Sequence, residues 1–219
     1  LFQPVPLNFV PYGQLNILHE LSLANRILLE GVFNEMANIF GAMSNVNLKD
    51  SEGVFSKIQR PIFKKKYGDS GVASLRDCLR TKTVVQDLSD VPSILGLMFD
   101  GSPIQCIKIN TKNMIEPDES GWRFIAIDLL MPNGQIIEWY IVPKEIQWAK
   151  RGKGHQSYEK TRSKNDPSER ARIKAEGREA YDLAWIDYLD RVGRTNEQEI
   201  ELWRTTEMYI QDRFQVFEI

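Results

Sequence analysis

The 219 residues carry 28 Lys and Arg against 30 Asp and Glu, a net charge of −2, with 42% hydrophobic and 26% charged residues. That is globular composition, long enough for one domain with a real core or one domain plus a helical extension. The net charge does not favour a general nucleic-acid binder, so any attraction to phosphate must be local. Cys78 and Cys106 fit neither a disulfide framework nor a metal-ligand spacing, and read as buried thiols in a reducing compartment. No run is apolar enough to span a membrane, and no signal peptide is visible. The chain opens on Leu1 rather than Met, so it is expected to be part of a longer protein.

Residues 1–13, with three prolines and a glycine, read as an irregular lead-in. From Gln14 to Phe40 apolar residues recur at helical spacing, which predicts one long helix or two broken near Gly31. Asn45 to Asp50 is turn-like. A basic segment follows, with Lys57, Arg60 and Lys64 on one face if it is helical, and with Lys65 and Lys66 beside them. Such a run is a solvated face or a polyphosphate clamp. Gly68 to Ser74 is a loop, and Leu75 to Val85 is a strand with Asp77 near its start and Arg80 and Lys82 on one face. Asp87 to Phe99 is a short helix with Ser89 or Asp90 as its cap and Pro92 in its first turn. Ile104 to Ile109 is the next strand, and Asn110 to Ser120 is a polar connection.

Phe124 to Met131 and Gln135 to Val142 form a hairpin around Asn133-Gly134. Its second strand holds one carboxylate, Glu138, among apolar residues, which either sits on a solvated face of the hairpin or is costly to bury unless a cation or a metal pairs with it. A two-residue loop faces Leu129 to Glu138. A three-residue loop, Pro132 to Gly134, faces Asp128 to Glu138 and makes it a third acid. Both remain open, with Asp128 placed near the site and not essential. Lys144 to Arg162 is a basic helix interrupted at Gly152 and Gly154. Helices from Asp166 to about Val192 and over 195–219 complete the chain. The order of elements predicts an α+β (α/β-like) fold: a mixed sheet of about five strands flanked by helices.

No phosphate loop, Rossmann glycine triplet, nucleophile elbow or paired-histidine zinc motif occurs. What remains is Asp77 and Glu138 in strands, with basic segments on both sides. Carboxylates on a sheet beside Lys and Arg can hold Mg²⁺ and a nucleoside triphosphate.

Over residues 50–165 the chain resembles the RelA/SpoT-type (p)ppGpp synthetase domains, in the style of divergent, toxin-like members. Asp77-Cys-Leu-Arg-Thr-Lys82 resembles the strand that begins with an aspartate and carries a basic residue five positions later. Gly121-Trp122 resembles the Gly-Tyr segment that stacks on the acceptor base. Ile137-Glu138-Trp139 resembles the Glu-Ile-Gln strand, and Gly154-His155-Gln156-Ser157-Tyr158-Glu159 the Gly-His-x-x-Tyr-Glu helix. The chain departs from the pattern at Trp122 for Tyr, Lys82 for Arg, Trp139-Tyr140 for Ile-Gln, and Phe124-Ile125-Ala126 for Ser-Leu-His.

The resemblance implies a nucleotidyltransferase-like synthetase fold over 14–165, with 166–219 as C-terminal helices packed on it. It implies Mg²⁺-dependent transfer of pyrophosphate from ATP to the ribose 3′-hydroxyl of a guanosine or adenosine nucleotide. Glu138 would be the base, Asp77 and Glu138 the metal ligands, and Lys57, Arg60, Lys64 and Lys82 the phosphate clamp. Trp122 would stack on the acceptor, and His155 would orient Glu138 or a phosphate. An antitoxin or immunity protein is the implied partner. The implied setting is cytoplasmic, including delivery into a target cell within a larger secreted protein. The alternatives are the same donor chemistry on an RNA or tRNA 3′ end, and a catalytically inactive synthetase-like binding module.

Overall fold

The computed structural model describes residues 13–60, 65, 75–117, 119–163 and 166–214. Those residues build a five-stranded mixed sheet: β1 (Met43–Leu48), β2 (Leu79–Val85), β3 (Gln105–Asn110), β4 (Ile125–Leu130) and β5 (Ile136–Pro143). The spatial order is β1-β2-β5-β4-β3, with β2 and β5 parallel and the other neighbours antiparallel.

β1 corrects the expectation of a turn over Asn45 to Asp50. Asn45 and Asn47 disfavour a strand by propensity. Pairing with β2 overrides this, because Val46 and Leu48 then pack on the core while Asn45 and Asn47 face outward. β2 also begins later than its β-branched pattern suggests, and Asp77 lies in the turn before it.

One sheet face is apolar. Ile137, Trp139 and Ile141 of β5 and Ile125, Ile127 and Leu129 of β4 are fully buried. Against them pack α1 (Gly13–Phe40), through Leu29, Phe33 and Met36, and α3 (Val91–Phe99), through Ile94, Leu95 and Met98. Each such side chain contributes about 1.5–3 kcal/mol by burial. The Trp139 indole N–H donates to Thr83 Oγ1 at 2.9 Å, so this buried ring leaves no polar group orphaned. α1 runs unbroken through Gly31, which sits on its exposed side.

α2 (Ser51–Ile58) is capped by Asp50, which accepts from the Gly53 N–H. A 3₁₀ turn, Leu88–Asp90, precedes α3, and the capping side chain there is Asp87 rather than Ser89 or Asp90. A one-turn helix, α4 (Lys112–Ile115), lies within the polar connection before the hairpin. The basic segment after β5 splits as its glycines suggest. α5 (Lys144–Ala149) and α6 (His155–Ser163) flank a wide turn, 150–154, with Gly152 outside helical geometry. α7 (Pro167–Val192) starts on an Asp166 cap and ends on Gly193, and α8 (Asn196–Phe214) follows. Tyr181, Ala184, Trp185 and Tyr188 of α7 and Trp203 and Ile210 of α8 join the same core. Among the described residues, no helix is long and apolar enough to cross a membrane.

Candidate active site

The other sheet face is polar. By register, Arg80 lies beside Glu138 and Lys82 beside Tyr140 across the parallel β2–β5 pair, and Asp128 lies opposite Glu138 across β4–β5. The hairpin loop is the three-residue form. Met131 pairs with Gln135 (N–H to carbonyl, 2.9 Å), and the Gly134 N–H donates to the Met131 carbonyl at 2.8 Å. Gly134 has φ of +84°, the left-handed value that such a loop asks of its last residue. That loop places Asp128 and Glu138 on one face.

Asp77 joins them from the turn before β2. The Glu138 N–H donates to the Arg76 carbonyl at 3.2 Å, which stitches this turn to β5. Asp77 is buried, and its two oxygens meet two ammonium groups: Lys57 Nζ at 2.6 Å and Lys49 Nζ at 3.2 Å. Burial pushes its carboxyl up, but the two lysines outweigh that and hold it below the ordinary range. Asp128 forms an ion pair with Arg76. Glu138 has no salt bridge among the described residues, and its Oε2 accepts from the Tyr140 hydroxyl at 3.1 Å. Burial first, and then the charge of Asp77, push its carboxyl above the usual glutamate value. The three acids are therefore not equivalent: two are paired with cations, and Glu138 has a raised affinity for a proton.

Beyond Tyr140 the face becomes cationic and aromatic. Trp122 stacks on Phe124 (ring centroids 4.0 Å apart, 28° between planes), and Tyr140 packs against both rings at 5.8 and 5.5 Å. Lys150 Nζ sits 3.4 Å from the Trp122 ring centroid. A stacked ring and an ammonium that close cannot share one face, so both faces of Trp122 are covered. Arg123 anchors the segment by donating to the Met114 and Ile115 carbonyls at 2.7 and 3.2 Å and by lying over Trp185.

Of the residues singled out in the sequence, Asp77, Glu138 and Lys57 come together directly, and Lys82 and Trp122 line the same face. Arg60 is exposed just beyond the end of α2. Lys64 lies outside the described residues. His155 opens α6, and its side chain is outside the described set. Sequence reasoning missed Lys49, Arg76 and Lys150 as members of the site. Arg76 and Lys49 had no periodic signal, since each flanks a strand at a turn. Lys150 was one of many lysines in its segment.

Among the described residues, no three His, Cys, Asp or Glu close a metal site by themselves. Asp77 and Glu138 suffice for Mg²⁺, which takes one or two protein carboxylates and fills its shell with phosphate oxygens and water. Both Asp77 oxygens are held by lysine ammonium groups in this structure, so an ion bound there would displace Lys57 or Lys49.

No protein-family model and no curated protein sequence matches the chain. Solved structures do. The product-bound (pppGpp) small alarmone synthetase 1 from Bacillus subtilis aligns with a TM-score of 0.60 at 13% identity, over 80% of this chain and 90% of that one. Small alarmone synthetase 2 from the same organism gives 0.61 at 14%, over 83% and 95%. The type VI effector Tas1, crystallised with its immunity protein, gives 0.58 at 17%, over 81% and 99%. The chain thus has the α+β fold of the alarmone synthetases, a fold it shares with Tas1 at low sequence identity.

Proposed function

We propose that this chain is a pyrophosphokinase that moves the β,γ-pyrophosphoryl group of ATP to the ribose 3′-hydroxyl of an acceptor nucleotide. The observation that carries the reading is Glu138: a half-buried carboxylate without a salt bridge among the described residues, beside two acids that are each paired with cations. A base needs a raised affinity for the proton it takes and no permanent ion pair with a lysine or arginine. Glu138 removes the proton from the acceptor hydroxyl, and that oxygen attacks the β-phosphorus of ATP as AMP leaves. Asp77, with Glu138, would hold Mg²⁺, which when bound neutralises phosphate oxygens of the donor. Lys57 and Lys49 would exchange Asp77 for the donor phosphates, with Arg60 and Lys64 completing that clamp, and Lys82 would clamp phosphate further along β2. His155 is assigned to orienting Glu138 or a phosphate.

A toxin or effector role, with an immunity protein as partner and delivery into a target cell, is the setting we infer. The shared fold with Tas1 supports it. Incubation with labelled ATP, Mg²⁺ and each of GTP, GDP, ATP, ADP and tRNA, with products identified by mass spectrometry, tests both chemistry and acceptor. Transfer to tRNA alone would move the reading to an RNA 3′ end.

A second reading is an inactive binding module. Its support is that cations already occupy Asp77 and that both faces of Trp122 are covered. No transfer to any acceptor, with a biological effect unchanged in Glu138→Gln, would establish it.

A further inference from the structure

Arg80, Lys82, Lys150 and Arg151 form a group apart from the cations on Asp77. Arg80 and Lys82 are alternate residues of β2 on the polar face, and Lys150 and Arg151 open the wide turn after α5. Arg151 and Arg80 both repel Lys82, and Lys82 and Arg80 both repel Lys150. None of the four has a carboxylate partner among the described residues. Lys82 and Lys150 are half-buried, so water screens their repulsion poorly. Burial, followed by these neighbours, lowers the Lys150 ammonium to about 7. Its ammonium lies over the Trp122 ring, and the Trp122 indole N–H is buried with no hydrogen-bond partner among the described residues. Like charges gathered without counter-charge cost stability unless an anion completes the set.

We propose that Arg80, Lys82, Lys150 and Arg151 form a phosphate-chain subsite, and that a bound chain draws Lys150 off Trp122 and so uncovers the ring. Resting on the pyrophosphokinase reading, the chain is the 5′ di- or triphosphate of the acceptor. Four cations match that better than the single diester of an RNA end. The donor phosphates lie on the far side of Glu138, at Lys57 and Lys49. One event then binds the acceptor phosphates and opens a face for its base. This accounts for a stacking residue that is covered in the free protein.

The test uses inorganic tripolyphosphate in metal-free buffer, with binding measured by calorimetry at low and moderate salt. Lys150→Ala, Arg151→Ala and Arg80→Ala should each weaken binding about tenfold or more. Arg204→Ala, an exposed cation on α8, controls for net charge and should leave it within about twofold. In the transfer assay, Lys150→Ala should raise the KM of a triphosphate acceptor much more than that of the corresponding monophosphate, with the KM for ATP held. Unchanged tripolyphosphate affinity in Lys150→Ala and Arg151→Ala, or equal loss in Arg204→Ala, overturns the subsite even if transfer is robust. Binding that depends on these residues in a protein that transfers nothing supports the subsite and overturns the pyrophosphokinase reading instead.

Discussion

Asp128 and Glu138 face each other directly across the β4–β5 ladder, two carboxylates on one face of an otherwise apolar hairpin. Like charges at such a pair position destabilise a sheet. The repulsion is relieved on one side only. Arg76 takes Asp128, and Glu138 is left with a hydroxyl and a raised proton affinity. An arrangement that costs stability and is not fully compensated points to function rather than packing.

Neutralising Glu138 and neutralising Asp77 should shift stability in opposite directions. Glu138 has its folded-state carboxyl above the ordinary 4.5, through burial and then Asp77. Stability is therefore lost as pH rises through that range, and Glu138→Gln should melt higher than the parent at neutral pH in metal-free buffer. Asp77 is the reverse. Burial raises its carboxyl, but Lys57 and Lys49 bring it below 3.8, so its contribution is present above 3.8 and is lost as pH falls through the lower folded value. Asp77→Asn should melt lower at neutral pH, by about 2 kcal/mol of stability. Shifts of the same sign in thermal melts would overturn these electrostatic assignments.

The hairpin loop sets the register that brings the acids together. Gly134 has φ of +84°, where an L-residue costs about 1–2 kcal/mol. Gly134→Ala should lower the denaturant midpoint accordingly. A one-residue slip would turn Asp128 to the other side of the sheet. Retained stability would mean that the loop tolerates a side chain at this position.

Much of this arrangement was legible in the chain. The Asn-Gly signal located the hairpin, and period two put Glu138 opposite in face to Trp139. Asp77 stood out as a second acid at the start of a strand, and the resemblance of that strand to the synthetase pattern gave it a role. The loop length was not legible, because Asn-Gly suits two- and three-residue loops alike. β1 was hidden by its asparagines, whose turn preference is overridden only by pairing with β2. The covered state of Trp122 depends on Lys150, some 28 positions away and recruited by a helix kink. No local pattern encodes such a contact.

The two facing acids should differ sharply in turnover. Glu138→Gln is expected to reduce kcat by about a hundred- to ten-thousandfold, the range for losing a general base. Asp128→Asn removes only a neighbour that raises the Glu138 carboxyl and an ion pair to a half-exposed Arg76. Its loss should stay near tenfold or below, about 1.4 kcal/mol. Steady-state rates with labelled ATP decide between them. Equal losses would promote Asp128 to an essential residue.

Gly154 closes the turn that carries Lys150 and Arg151, and it lies against α7. A Cβ there would come within 2.6 Å of the Tyr181 ring and hydroxyl, and Tyr181 is only 5% exposed. Neither backbone nor a buried ring can move aside freely, so Gly154→Ala should cost about 1–3 kcal/mol by overpacking. Trimming the obstacle should return part of that cost. Gly154→Ala in a Tyr181→Leu background should destabilise less than in the parent, a coupling readable from a denaturation cycle. Because the displaced turn carries two of the four clustered cations, Gly154→Ala should also weaken tripolyphosphate binding. Strictly additive stabilities would show that the clash is absorbed elsewhere, and that the turn does not depend on α7 for its position.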